Sequence, residues 1–378
     1  MVRTGSRRHR IDRSRRRLLL ATGTVFAGLS GCIGTGNGGN PANERPETDD
    51  YDGPGVTPEG TPRADLPELS GELTIYSGRR EAQIDEVLRD IESYYDDFGI
   101  EVFYDDNEAL LQRIDEEGAA SPADILYTQD SGTLGMLKRM DRTVELTDDV
   151  IKTVPEHWRD PDGTWTGLSG RTRCVAYNTD RWSPDELPDD IFAYPDDERF
   201  EGEMGWRVDS GSFRAFVQAM IIEHGESTTR AFLQGMLDAG IQNNEGGSTT
   251  PQAIAAGEIS VGFVNQYYVG RLVAQDPDLP ISVTFTDGDV GSLFNVSGAA
   301  VLDTSDRTDL ARDFIRHLLG TESQEFFVET NSEYAVIEGV EYVGELPGLD
   351  ELDPPAFDLN ELAEIEPAIA LLQDVGIY

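Results

Sequence analysis

The sequence predicts an α/β protein of two lobes, the second inserted into the first, and three observations carry that expectation. Strand-like apolar runs alternate with helix-periodic runs from residue 73 onward. The alternation occurs twice, once on each side of a break at Asn178-Thr179-Asp180. Two long runs of apolar and small residues, Gly170 to Tyr177 and Ser297 to Leu302, bracket the second series, as strands would that leave one lobe and return to it. Alternating β and α segments favour a parallel sheet covered by helices. Two crossings between lobes make a hinge with a cleft beside it.

The first series opens with a strand, Leu73-Thr74-Ile75-Tyr76, and a turn at Ser77-Gly78. Ile84, Val87, Leu88, Ile91, Tyr95 and Phe98 then recur at three- to four-residue spacing, a helix that Gly99 should stop. A second strand runs from Ile100 to Tyr104, and Asn107 is placed to cap a helix presenting Leu110, Leu111 and Ile114 on one face. Ser121-Pro122-Ala123-Asp124 leads into a third strand, Ile125-Leu126-Tyr127. In the second series a strand lies near 206–208, followed by helices over 212–223 and 228–239 and a short one over 250–257. The strand Ile259 to Val264 ends at Asn265, and a helical run spans Val269 to Ala274. After the return strand a helix covers Leu310 to Leu319. The expected boundaries are 71–177 plus 293–378 for the first lobe and 178–292 for the second. The acidic, proline-bearing end, Leu346 to Tyr378, is helix-periodic over 359–372.

The first 31 residues carry eight Arg and one acidic residue, Asp12. Within them Ser14-Arg15-Arg16-Arg17-Leu18-Leu19-Leu20 reads as a twin-arginine motif ahead of an apolar stretch too short to span a membrane. The stretch ends in Leu29-Ser30-Gly31-Cys32, a lipobox with Cys32 as the lipidation point. These features predict export by the twin-arginine route and a lipid anchor on the outer face of the cytoplasmic membrane. Residues 32–70, rich in Gly, Pro, Asn, Thr and acidic side chains, read as a flexible tether.

Asp and Glu total 72 against 30 Lys and Arg, a formal net charge of −42. Hydrophobic residues still make up 38%, enough for packed cores, so the acidity does not signal a disordered chain. Only two lysines occur, Lys138 and Lys152. The pattern resembles the haloarchaeal type, where molar salt shortens the Debye length to ~3 Å and screens self-repulsion. Such charge excludes a nucleic-acid face. The four His are scattered and offer no zinc spacing. Cys174, in an apolar run, reads as a small buried residue. Gly34, Gly36 and Gly39 match G-x-G-x-x-G without a strand before or a helix after, and Gly167 to Arg171 lacks the last Gly of a nucleophile elbow. The sequon Asn295-Val296-Ser297 abuts a crossover strand and reads as chance.

Tyr267-Tyr268 stand just after the strand ending at Asn265, where open α/β sheets place ligand-facing residues. Phenolate oxygens are hard donors suited to a highly charged cation, ferric iron above all. Arg79, Arg80, Arg171 and Arg173 fall near the expected cleft and can clamp an anion.

Asn265-Gln266-Tyr267-Tyr268, Tyr76-Ser77-Gly78-Arg79, Ser121-Pro122-Ala123-Asp124, Gly167-Leu168-Ser169-Gly170-Arg171 and Ser297 to Leu302 together resemble, in order, the ferric-iron-binding proteins of ABC importers. The resemblance covers about residues 73 to 335 and implies a type II periplasmic-binding-protein fold. It further implies a monomeric, non-enzymatic receptor that carries Fe(III), with carbonate or phosphate as synergistic anion, to a permease and its ATPase. Tyr267 and Tyr268 match the iron-ligating tyrosines; Ser210, Gly211 and Ser212 match the anion-cradling turn, and Asn265 a further anion contact. That turn precedes a helix, whose N-terminal N–H groups favour an anion independently. The chain departs from the family at Arg80, Gln129 and Phe213, where some members place a His, a Glu and a third Tyr. Glu81 and Asp130 are the nearby carboxylates that can substitute. An organic anion, phosphonate or thiamine-like ligand without iron remains the alternative. An exported hydrolase has no nucleophile or metal triad to support it.

Overall fold

The computed structural model describes residues 8–10 and 60–378, apart from 341, 343–345, 350, 351, 356 and 357. The twin-arginine motif, the lipobox with Cys32 and residues 32–59 of the tether lie outside the described residues, whereas residues 60–70, read as tether, pack on the first lobe: Leu69 is buried and the Arg63 N–H donates to Glu322 at 2.9 Å. Chain order begins with β1 (Arg8–Arg10), β2 (Gly71–Ser77), α1 (Glu81–Tyr94), β3 (Phe98–Tyr104), α2 (Asn107–Glu117), β4 (Ile125–Thr128), α3 (Ser131–Arg139), the single turn α4 (Asp148–Ile151) and β5 (Thr166–Asn178). It continues through β6 (Met204–Trp206), α5 (Gly211–Asp238), β7 (Gln242–Asn243), α6 (Thr249–Ala255), β8 (Val261–Asn265), α7 (Gln266–Gln275) and β9 (Ile281–Thr284). It closes with β10 (Phe294–Val301), α8 (Thr308–Leu318), α9 (Thr321–Asn331) and α10 (Glu366–Asp374).

In the first lobe β2 runs parallel to both β3 and β4, while the returning β10 inserts antiparallel between β4 and β5. β1 adds antiparallel to the outer edge of β3. In the second lobe β6 pairs parallel with β7 and β8, and β8 pairs antiparallel with β5. Strand β5 therefore serves both sheets. Its first half holds β10, and its second half holds β8 on one edge and β9 on the other.

Local chemistry explains the elements. On α1 the expected stripe Ile84, Val87, Leu88 and Ile91 is buried, each side chain contributing about 1.5–3 kcal/mol relative to exposure. The helix stops at Tyr94, and Gly99 falls inside β3. α5 is broken at Gly225, so the two helices expected over 212–239 are present as one interrupted run. Asn107 is the first helical residue of α2, with Asp106 as its cap. Among the described residues no helix is long and apolar enough to cross a membrane.

The end of the chain touches both lobes, although the sequence groups it with the first. A 3₁₀ turn, Leu359–Ala363, packs on α3, while α10 buries Ala368, Leu371 and Leu372 and packs on α5. Asn360 locks the first contact. Its Oδ1 accepts from the buried Trp165 Nε1 at 2.9 Å, and its Nδ2 donates to Asp160 at 3.0 Å. Burial alone would raise Asp160, yet Lys138, Thr164 and Asn360 hold its carboxyl below the usual range. Tyr378 donates to the Val208 carbonyl at 2.8 Å, and Arg230 pairs with Asp374. Asn360→Ala, which strands the indole N–H of Trp165, should cost about 1–3 kcal/mol in urea denaturation.

Candidate functional site

One cleft of about 700 Å³ opens between the lobes. Tyr267, Tyr268, Ser210, Gly211, Ser212, Asn265, Arg79, Arg80 and Arg171 all line it. Its first-lobe wall carries the acidic side chains Glu81, Asp105, Asp106, Glu108 and Asp130; the second-lobe wall adds Arg207, Arg214 and Arg271 with Asp209. Phe213 does not take part, being fully buried in the second lobe.

The tyrosines sit in the first turn of α7, which starts at Gln266, three residues earlier than its apolar run predicts. β8 delivers them: its last residue, Asn265, is the N-cap, so the phenols project where the strand ends. Tyr267 is 7% exposed and Tyr268 half-buried, with ring centroids 4.3 Å apart. Asn265 Nδ2 donates to the Tyr267 hydroxyl at 3.3 Å. Burial pushes the Tyr267 phenol well above its ordinary value, and Tyr268 beside it adds to that; Arg171 and the Asn265 bond pull the other way. Tyr268 lies over the backbone of Gly247, where a Cβ would overlap the ring, and reaches Arg207 on its other side.

The anion turn is formed as its sequence indicates. Ser210 caps α5, its Oγ accepting from the Phe213 N–H at 3.2 Å. Ser210 and Ser212 hydroxyls stand 3.3 Å apart at the cleft edge.

The arginines divide by what they already bind. Arg79, an expected anion contact, is spent within the protein. Its Nη2 meets Glu333 at 3.0 Å with both side chains at most 1% exposed, and its Nη1 donates to Ser169 Oγ at 3.2 Å. Burying that charge against a carboxylate leaves little for a ligand. Arg173 stays out of the cleft wall: its guanidinium lies over Phe216 and donates to the Phe263 carbonyl at 3.1 Å, while burial pulls it down to about 10. Arg171 is different. It is 4% exposed, lines the cleft beside Tyr267, and has no ion-pair or hydrogen-bond partner among the described residues. A guanidinium that reaches the cleft with its charge uncompensated is available to an anion. Arg80 is exposed at the cleft and caps α1 by position.

Of the two substitute carboxylates, Asp130 is committed. It caps α3 by accepting from Thr133 N at 2.9 Å, and it accepts from Asn107 Nδ2 at 2.6 Å. Glu81 lies in the first turn of α1 and faces the cleft. Gln129 also lines it. Asn295, the sequon residue, is largely buried at the cleft wall, and its Oδ1 accepts from Ser131 Oγ at 2.8 Å. Cys174 is buried, its thiol pushed up to about 12 by burial. Among the described residues no group of three His, Cys, Asp or Glu is placed to hold a metal.

Sequence reading missed Arg207, Arg214, Arg271 and Tyr104. Arg207 directly follows β6, so the strand-end rule used for the tyrosines applies to it too. Arg271 lies four residues after Tyr267, a spacing that stacks side chains on one helical face. Arg214 reaches across the cleft to Glu108 at 3.1 Å, and nothing local announces that contact. Tyr104 ends β3 with a buried, unpartnered hydroxyl.

Two α/β lobes joined through a shared strand, with a polar cleft between them, define an extracytoplasmic solute-binding protein of the periplasmic-binding-protein fold. The family model for bacterial extracellular solute-binding proteins matches residues 120–353, and the chain belongs to that family. It is 32% identical to iron uptake protein A2 of Synechocystis over 75% of this chain and 86% of that protein. It is 27% identical to the major ferric iron-binding protein of Neisseria meningitidis, covering 81% and 93%. Among solved structures, iron-bound HitA from Pseudomonas aeruginosa superposes with a TM-score of 0.72 at 29% identity, over 81% of this chain and 99% of that one.

The ion pair behind the cleft is a point of stability. Glu333→Ala leaves Arg79 as an uncompensated buried cation and should cost about 3–5 kcal/mol, read as a lowered urea midpoint.

Proposed function

We propose that the cleft takes up Fe(III) together with a small anion and that the protein hands this cargo to an ABC permease and its ATPase. The reading rests on one constellation: two adjacent phenols and an unpartnered, buried guanidinium at the floor of one cleft. Tyr267 and Tyr268 are the hard donors, and a trivalent cation offsets the cost of removing their protons. Arg171, the Ser210-Gly211-Ser212 turn and Asn265 supply the positive charge and N–H groups for an anion such as carbonate or phosphate that completes the metal's coordination. The similarity to iron uptake protein A2 and to the major ferric iron-binding protein supports the metal. Arg79 has no direct part in this scheme; it braces the wall behind the cargo.

Cys32 would anchor the mature chain to the outer face of the membrane after twin-arginine export, with residues 33–59 as tether, and the receptor would work as a monomer. The acid-rich composition fits a concentrated-salt habitat. Raising KCl from 0.1 M to molar levels should then raise the melting temperature, because the Debye length falls from ~10 Å to ~3 Å.

Purified protein given ferric ion and carbonate should show a visible tyrosinate-to-iron charge-transfer band, and Tyr267→Phe with Tyr268→Phe should abolish it. A double variant that keeps band and affinity refutes the site. The uncompensated Arg171 also favours a second reading, an organic anion or phosphonate bound without metal. Calorimetry on metal-free protein separates the two, since only the second gives heat with the anion alone.

A further inference from the structure

The helix that carries the two tyrosines rests directly on the first lobe. Its contact is the corner Asn331-Ser332-Glu333, at the C-terminal end of α9. Gln266 Nε2 donates to the Ser332 carbonyl at 3.1 Å, and Gln266 Oε1 accepts from the Thr172 N–H of β5 at 3.0 Å. The approach is close enough that a Cβ on Gly270 would lie 2.8 Å from Ser332 Cβ. Ser332 itself holds a left-handed backbone, φ 55°, a conformation few non-glycine residues adopt without support. Glu333, next along, is the partner of Arg79. The same three residues thus support the cleft wall of one lobe and the tyrosine helix of the other.

Arg271 joins that corner to the proposed site. Its guanidinium lies over the Tyr267 ring, 4.8 Å from the centroid. Its Nε donates to the main-chain carbonyl of Asn331 at 3.1 Å, and Asn331 is held in turn by its own Nδ2 donating to the Gln83 carbonyl of α1 at 2.9 Å. Arg271 Nη2 is buried without a partner among the described residues. A planar guanidinium suits this double task, stacking by its face and donating from its edge.

We propose that Arg271 is a positioning residue that fixes the Tyr267 ring for cargo binding and, through the Asn331 carbonyl, makes that ring's placement depend on where the first lobe sits. Relative movement of the lobes then disturbs a metal donor directly, so lobe separation and cargo release are one event. The inference rests on the ferric reading above, and it assigns Arg271 no contact with the metal.

The test uses the full chain loaded with ferric ion and carbonate, following the charge-transfer band and the rate of iron loss to EDTA by stopped flow. Arg271→Met keeps the apolar stem and removes both the cation over the ring and the donor to Asn331. The expected result is a band displaced from the wild-type maximum and release faster on the order of tenfold. Arg271→Lys, which retains the charge without the planar fork, should fall between the two. On a Tyr267→Phe background Arg271→Met should add nothing, because its effect passes through that ring. Met and Lys variants with wild-type band and release overturn the proposal, as does an Arg271→Met effect of equal size with and without Tyr267. If Arg271→Met does not fold, the Lys variant decides, and its identity with wild type is the overturning result. A wild-type protein without any ferric band removes the ferric reading and this inference with it, whereas a normal wild-type band with unaffected variants removes the inference alone.

Discussion

Strand β5 is buried along all thirteen of its residues and is hydrogen-bonded into the sheets of both lobes. The rest of the molecule depends on that sharing. A strand alternates its side chains, so residues 169, 171 and 173 point to one face and 170, 172 and 174 to the other. The first face carries Ser169, Arg171 and Arg173, three polar side chains threaded into an interior strand. Each is accommodated differently: Ser169 within the Arg79–Glu333 network, Arg173 on Phe216 and a backbone carbonyl, and the Arg171 side chain by no ion pair or hydrogen bond among the described residues. The strand that joins the lobes therefore also deposits a bare cation at the cleft floor.

Charge in the cleft follows from how these demands are met. Buried charges are tolerated when paired, and Arg79 with Glu333 satisfies that rule inside the first lobe. Arg207 with Asp209 and Arg214 with Glu108 do so nearer solvent, where such pairs contribute little to stability but hold side chains in place. Arg214 with Glu108 crosses between lobes, and so does Arg271 with Asn331. The cleft is thus bordered by polar ties between lobes.

Much of this was legible in the chain. The stripe on α1, the strand ending at Asn265 and the turn at Ser210 obey periodicity and capping rules that act over a few residues, so they appear in the sequence as patterns. Tyr267 and Tyr268 were legible for the same reason, since a strand end is a local event. The start of α7 was misplaced because Gln266 and the tyrosines show no apolar period of their own. That turn is helical because Asn265 caps it by position and because Gln266 is held from outside by Thr172 and Ser332.

What only the tertiary structure decided is how each arginine is used. In sequence Arg79 follows a strand-like segment and Arg171 lies within one, and both are expected anion contacts. Their fates differ because Glu333, 254 residues away, folds against the first, and no carboxylate among the described residues pairs with the second. Arg271 gained its place from a carbonyl 60 residues further on. By itself the sequence determined the α/β lobes, the hinge strands and the pair of phenols, because these depend on local spacing. The availability of each charge depends on which distant residue arrives beside it, and that is settled only when the lobes pack.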